Sequence, residues 1–268
     1  MIVTQYQLIP YVLTVIFAIS TYFFWRKANQ AQKQIKLSRE LAKKFMNTVP
    51  HQFRPPLTLL KGYSSMILEG DYGPIKPELS DVFHKMSVST NNLIDIVDDY
   101  LDLTTLKLGN VQYGHEEIDV KGVLEQLIHK FRQNKLSIDL KLKESGNAPY
   151  LISGDTKQIT AVFRRLIENA VKYTPKGGVI VNLSKNEKSV SVSIEDTGIG
   201  IAKSDRPNIF NESYRALNAK DTSAVGTGLG LYINSQVIKA HHGRIWAESE
   251  GIFKGAKFFV ELPVCTVR

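Results

Sequence analysis

His51 lies in the stretch Phe45-Met-Asn-Thr-Val-Pro-His-Gln-Phe-Arg-Pro-Pro-Leu-Thr-Leu-Leu60. Wound as a helix, it places Leu41, Phe45, Val49, Phe53, Leu57, Leu60, Tyr63 and Ile67 within about half the circumference, with His51 about 160° from the centre of that stripe. An imidazole held away from a buried stripe is an accessible nucleophile or proton carrier. Taken alone it reads first as a solvated surface histidine, and only the rest of the chain argues otherwise. Far along the chain, Asp196-Thr-Gly-Ile-Gly200 and Gly226-Thr-Gly-Leu-Gly-Leu231 supply backbone that a ligand can approach closely. The second precedes a helical pattern, where free amides favour phosphate oxygens. In Glu168-Asn-Ala-Val-Lys-Tyr-Thr-Pro175, the Asn169 amide oxygen suits a magnesium ion and Lys172 suits a phosphate. Any one of these is also explained by a tight turn or a polar helix face; their order along one chain is what links them.

The elements that must position these residues follow from pattern and charge. Residues 8–25, LIPYVLTVIFAISTYFFW, are uncharged and about long enough to cross a bilayer as a helix. Tyr22 and Trp25 sit where interfacial anchors would, and the basic flank after them predicts that everything from Arg26 onward is cytoplasmic, with residues 1–7 as a tail outside. A signal peptide would carry its charge before the apolar run, not after it. Residues 26–44 hold seven basic residues and one acid, so +6 of the net +8 belongs to this segment. That concentration argues for a membrane flank and against a nucleic-acid surface. The single cysteine, Cys265, can form no intrachain disulfide and fits a reducing compartment. The six histidines show no metal-ligand spacing.

Residues 26–40 read as a basic connecting helix. Residues 41–110 read as two amphipathic helices broken by Glu69-Gly-Asp-Tyr-Gly-Pro74, the second carrying Phe83, Met86, Thr90, Leu93, Val97 and Leu101 on one face. Such an antiparallel hairpin leaves its apolar faces half exposed, and two copies paired as a four-helix bundle would bury them, so a homodimer is expected. Residues 115–268 alternate between strand and helix. A helix over 118–133 entered at Asp119, a strand over 136–142, a short strand over 150–153 and an Asp155-capped helix to Lys172 come first. Strands over 179–183 and 190–194, a helix over 229–241 and strands over 244–247 and 257–262 follow. The fold class is α+β: an N-terminal transmembrane helix, a helical hairpin, and an α/β sandwich with a mixed sheet. Residues 202–225 lack periodicity and read as a lid.

The ordered set of segments resembles the sensor histidine kinases of two-component signalling, whose catalytic domain shares the ATP-binding sandwich of gyrase, Hsp90 and MutL. His51-Gln-Phe-Arg-Pro-Pro-Leu57 is similar to the family's phosphoacceptor box, Asn169-Ala-Val-Lys-Tyr173 to its Asn box, and Asp196-Thr-Gly-Ile-Gly200 and Gly226-Thr-Gly-Leu-Gly230 to its two glycine boxes. Phe210 to Ala216 resembles the lid's aromatic box, and Lys239-Ala-His-His-Gly-Arg-Ile-Trp246 the passage that follows. The resemblance implies ATP as phosphoryl donor and magnesium held by Asn169, with Lys172 near the phosphates and Tyr173 among the nucleotide-binding residues. It implies that Asp196 accepts the adenine amino hydrogen, with Gly198 and Gly200 shaping that end, and that Gly226, Thr227, Gly228, Leu229 and Gly230 surround the phosphates. His51 would take the γ-phosphoryl group and pass it to an aspartate of a receiver protein. Together with the apolar run and the hairpin, the expectation is a homodimer in the inner or plasma membrane, crossing it once and touching lipid, with its catalytic part cytoplasmic.

Four positions depart from the family pattern. Gln52 stands where an acid usually follows the histidine. It can still orient the ring but adds no charge as the ring becomes cationic, so reduced autokinase activity is expected. Pro55 stands where Thr or Asn usually positions a water, so weak phosphatase activity is expected. Arg165 replaces an Asn and Ser213 a lid aromatic, which is expected to loosen nucleotide binding. The alternative readings are an ATP-binding pseudokinase that signals by conformation and a non-kinase ATPase of the same sandwich family.

Overall fold

The computed structural model describes residues 8–109, 111–133, 138–146, 149–220 and 226–265, with backbone alone for 8–20, 35, 39, 42, 43, 45–51 and 220. The chain divides into two compact units, Met1–Phe53 and Arg54–Arg268. The first is helical over its described residues, the start of α1 (Leu8–Glu69). Among the described residues no helix is long and apolar enough to cross a membrane. The side chains of 8–20, which form most of the expected span, lie outside that description, as does the side chain of His51.

The second unit opens with the end of α1 and α2 (Pro77–Lys107). Gly70 and Gly73 reverse the chain between them with φ of 88° and 93°, where a side chain would be strained. Pro77 sits at the first positions of α2, where its missing N–H costs nothing. Arg54 before the turn bonds Asp98 after it at 2.7 Å, so the two helices run antiparallel. Ser64 and Thr90 are buried, whereas Leu60, Tyr63, Met86 and Leu93 remain exposed in the single chain.

The remainder is a two-layer sandwich. A five-stranded sheet in the order β2 (Asp139–Glu144), β4 (Gly178–Lys185), β5 (Ser189–Asp196), β7 (Ala256–Pro263), β6 (Arg244–Glu248) is mixed: β2 and β4 are parallel and the other pairs antiparallel. Alternation along β4 turns Val179, Val181 and Leu183 inward, and β5 does the same with Val190, Val192 and Ile194. Against that face pack α3 (Val120–Gln133), α4 (Thr156–Lys172) and α6 (Gly230–Ala240). In α4 the buried set Ile159, Val162, Phe163, Leu166, Ile167 and Ala170 follows the helical period, and Asp155 caps the helix by accepting from Gln158 N at 3.0 Å.

Two expectations need correction. Ile118 is not helical: β1 (Glu116–Asp119) pairs antiparallel with β3 (Leu151–Gly154), and the helix starts at Val120. Four residues are too short a run for alternation to be read, and Asp119, which accepts from Lys121 N, marks the helix entry correctly. Nor is the lid wholly irregular. It contains α5 (Leu217–Lys220), and the buried Asp205 organises it by accepting from Tyr214 Oη at 2.8 Å and from Leu217 N at 3.1 Å.

Buried His241, at the C-terminal end of α6, ties that helix to the start of α4. Its Nδ1 meets the Val237 carbonyl at 2.8 Å and its Nε2 meets Asp155 N at 3.0 Å. A carbonyl only accepts and an amide only donates, so the ring carries its proton on Nδ1. Replacing His241 by leucine leaves the Asp155 N–H without its acceptor beside the helix cap. The expected loss is about 1–3 kcal/mol, read as a fall in the thermal unfolding midpoint; an unchanged midpoint would refute this role.

Candidate active site

Helix α4 has a second periodic set. Arg165, Glu168, Asn169 and Lys172 recur every three or four residues, about 140° around from the buried set, and all four line a cavity of about 820 Å³. Tyr173, Asp196, Gly200, Gly226, Thr227, Gly228 and Gly230 line it too, with Ile209, Tyr214, Arg215 and Asn218 from the lid. The sandwich therefore turns one side of α4 into the core and the other into a polar cleft whose lining includes residues of both glycine segments.

Asp196, only 6% exposed, ends β5 at the floor of this cleft. Its Oδ1 accepts from Gly198 N at 2.9 Å and from Ala256 N at 3.2 Å, which leaves Oδ2 for a donor arriving in the cavity. Burial pushes its carboxyl above the usual range, and the two backbone bonds pull the other way. Gly198 lies behind the wall: a side chain there would collide with the Tyr173 carbonyl oxygen. The neighbouring Thr174 hydroxyl is buried without a hydrogen-bond partner among the described residues, the kind of orphan that a bound molecule or water satisfies.

Elsewhere on the lining, Lys172 Nζ lies 3.8 Å from where a side chain on Gly226 would begin, and burial lowers its pKa. Thr227 Oγ1 accepts from Leu229 N at 3.1 Å, so the loop is folded against the start of α6. Leu229 itself is buried and does not line the cleft. At Gly228, φ is +73° and the lid's Tyr214 carbonyl occupies the space a side chain would need. The cleft thus offers a buried carboxylate, an ammonium beside the glycine segment that leads into α6, and an Asn amide. This composition fits a molecule with a hydrogen-bond-donating ring and a polyanionic tail, and Asn169 supplies the hard oxygen that a magnesium ion takes.

Of the residues singled out in the sequence, this cleft collects Asn169, Lys172, Tyr173, Asp196, Gly200, Gly226, Thr227, Gly228 and Gly230, with Gly198 and Leu229 as supports. Gln52 is exposed in the first unit. What the sequence reading missed is the contribution of α2: Asp95, Asp98 and Asp99 also line the cleft. Nothing in their local sequence marks these aspartates, and only the tertiary contact reveals them.

Residues 41–109 match the family described as the His Kinase A (phospho-acceptor) domain, and residues 154–266 match the histidine kinase-, DNA gyrase B- and HSP90-like ATPases. The sensor histidine kinase WalK of Bacillus subtilis is 30% identical over 239 residues, 86% of this chain and 38% of that protein. The signal transduction histidine-protein kinase BaeS of Escherichia coli is 27% identical over 237 residues, 88% of this chain and 50% of that protein. The chain therefore spans half or less of these relatives' lengths. A crystal structure of full-length ShkA in complex with AMPPNP superposes with a TM-score of 0.64 at 26% identity, over 84% of this chain and 46% of that one.

Proposed function

We propose, for a chain that belongs to the two-component sensor histidine kinases, that it autophosphorylates His51 from ATP and passes the group to a receiver aspartate. The observation that carries this reading is the single cleft into which Asp196, Asn169, Lys172 and the Gly226–Gly230 segment converge, in a chain whose matched phospho-acceptor segment contains His51. The bound-nucleotide relative, ShkA with AMPPNP, supports the same assignment of the cleft.

In this reading Asp196 accepts the adenine amino hydrogen through Oδ2, and the loop amides at the start of α6 face the phosphates with Lys172 beside them. Asn169 would hold magnesium, which supplies charge neutralisation to the triphosphate. Neutral His51 gives its ring lone pair to the γ-phosphorus as the bond to the β,γ-bridging oxygen breaks and ADP departs; the ring then sheds its proton. The protein's contribution is placement and charge complementarity. Gln52 keeps an oxygen for orienting the ring but adds no charge, so autophosphorylation is slow for the family. The exposed apolar faces of Leu60, Tyr63, Met86 and Leu93 support pairing of two hairpins into a four-helix bundle. The exposed Tyr22, Phe23, Phe24 and Trp25 beside the basic segment support attachment to the membrane with the catalytic part cytoplasmic.

The test is incubation of the protein with γ-labelled ATP and magnesium. Acid-labile, alkali-stable protein label supports the kinase; nucleotide binding without label indicates a pseudokinase, and free phosphate alone an ATPase. Pro55 bears on the reverse reaction. Its ring cannot hold a water, and Pro55→Thr is expected to raise dephosphorylation of the phosphorylated receiver by about tenfold, in keeping with one added water-positioning contact. An unchanged rate would refute the assignment.

A further inference from the structure

The phosphate end of the cleft already has an anion in it. Asp99 Oδ2 accepts from Thr227 Oγ1 at 2.6 Å, a hydroxyl of the same Gly226–Gly230 segment. Arg165, whose aliphatic stem lies against Gly230, places Nη2 2.5 Å from Asp102 Oδ2 and 3.4 Å from Asp99 Oδ1. Both groups are removed from solvent, the Arg165 side chain being 11% and that of Asp99 16% exposed. Asp95, one turn earlier, completes a row at 95, 99 and 102 on one face of α2, and its charge interacts with Lys172 and Arg164 across the cleft. Neighbouring Asp98 also borders the cleft but is paired with Arg54 of α1 at 2.7 Å, so it is Asp99 and Asp102 that meet Arg165.

Resting on the nucleotide reading of this cleft, we propose that the α2 carboxylates occupy the triphosphate subsite, so that the hairpin and the nucleotide's phosphates compete for Thr227, Arg165 and the start of α6. Asp99 is an internal phosphate mimic: it offers a negative charge where helix-terminal amides and a hydroxyl favour one. The docked hairpin is thereby an autoinhibited state, and nucleotide entry releases α2 from the catalytic domain. Burial raises the pKa of Asp99 against the lowering pull of Thr227 and Arg165, so the carboxylate sits there at a desolvation cost that release recovers. The exposed Lys107–Glu212 pair, 2.6 Å apart, joins the end of α2 to the lid and adds little by itself.

The test is calorimetric titration of the protein and its Asp99→Asn, Asp99→Ala and Asp102→Asn variants with AMPPNP and, separately, with adenosine. Asp99→Asn keeps an oxygen for Thr227 and loses only charge, so it guards against a folding defect in the alanine variant. All three are expected to bind AMPPNP more tightly, Asp99→Ala by about tenfold, equivalent to ~1.4 kcal/mol, while adenosine affinity stays as in the parent protein. Unchanged or weaker AMPPNP binding in the variants, with the parent binding normally, overturns the competition and leaves the nucleotide reading intact. An equal gain for adenosine overturns it too, since adenosine has no phosphate to compete. If no form binds either ligand, the nucleotide reading falls and the proposal with it.

Discussion

Replacing His51 by glutamine should reduce protein-bound acid-labile label by a factor on the order of 10³ or more while leaving AMPPNP affinity unchanged. Glutamine continues a helix well and is close in size, so α1 has no reason to unravel. Its amide nitrogen has no available lone pair, and the nucleophile is gone. The residues proposed for nucleotide binding all lie in the second unit, which separates binding from transfer in a single pair of measurements. Label that persists would move the acceptor to another imidazole, with His84 exposed on α2 the first to examine. Label and binding lost together would mean that the substitution disturbs the fold, and His51→Asn would then repeat the test with a shorter side chain.

The core was legible because its pattern is periodic: the inward faces of β4 and β5 and the six buried positions of α4 repeat at two and at three-to-four residues, and a stripe needs no tertiary knowledge to be seen. Asp155 could be named as a cap because helix entry has a local chemistry. β1 escaped because a four-residue strand, here Glu-Glu-Ile-Asp, exists only through its partner β3. The same division holds at the cleft. Glycine-rich segments and an Asn–Lys pair are marked by composition, so they could be read directly. Asp99 and Asp102 are not: α2 carries acids at 95, 98, 99 and 102, and nothing local distinguishes the one that meets Arg54 from the ones that meet Arg165 and Thr227. Arg165 shows how the two levels combine. In the sequence it is a departure from an Asn; in the fold it is the cation to which α2 is bound, so the departure and the acidic face make sense only together.

Asp196→Asn should lower ATP affinity by about a hundredfold with little loss of stability. The asparagine oxygen can keep both backbone bonds, from Gly198 N and Ala256 N, so the turn after β5 is retained. Because burial opposes the native charge at this position, a neutral side chain should unfold at the same temperature or slightly above. In the cavity, however, an acceptor has become an amide donor, facing the adenine amino group with one donor against another. Losing a hydrogen bond to a charged group and leaving a buried donor unmatched together amount to about 2–3 kcal/mol. The chemistry also predicts the rescue. Inosine triphosphate carries a ring carbonyl in place of the amino group, which the asparagine amide can satisfy, so the variant should bind the inosine nucleotide more tightly than ATP while the parent protein does the reverse. Asp196→Ala serves as the contrast, since it strands two backbone N–H groups and should lose stability as well as binding. An Asp196→Asn protein that binds ATP as the parent does would remove Asp196 from base recognition and require the cleft to hold its ligand in the opposite direction.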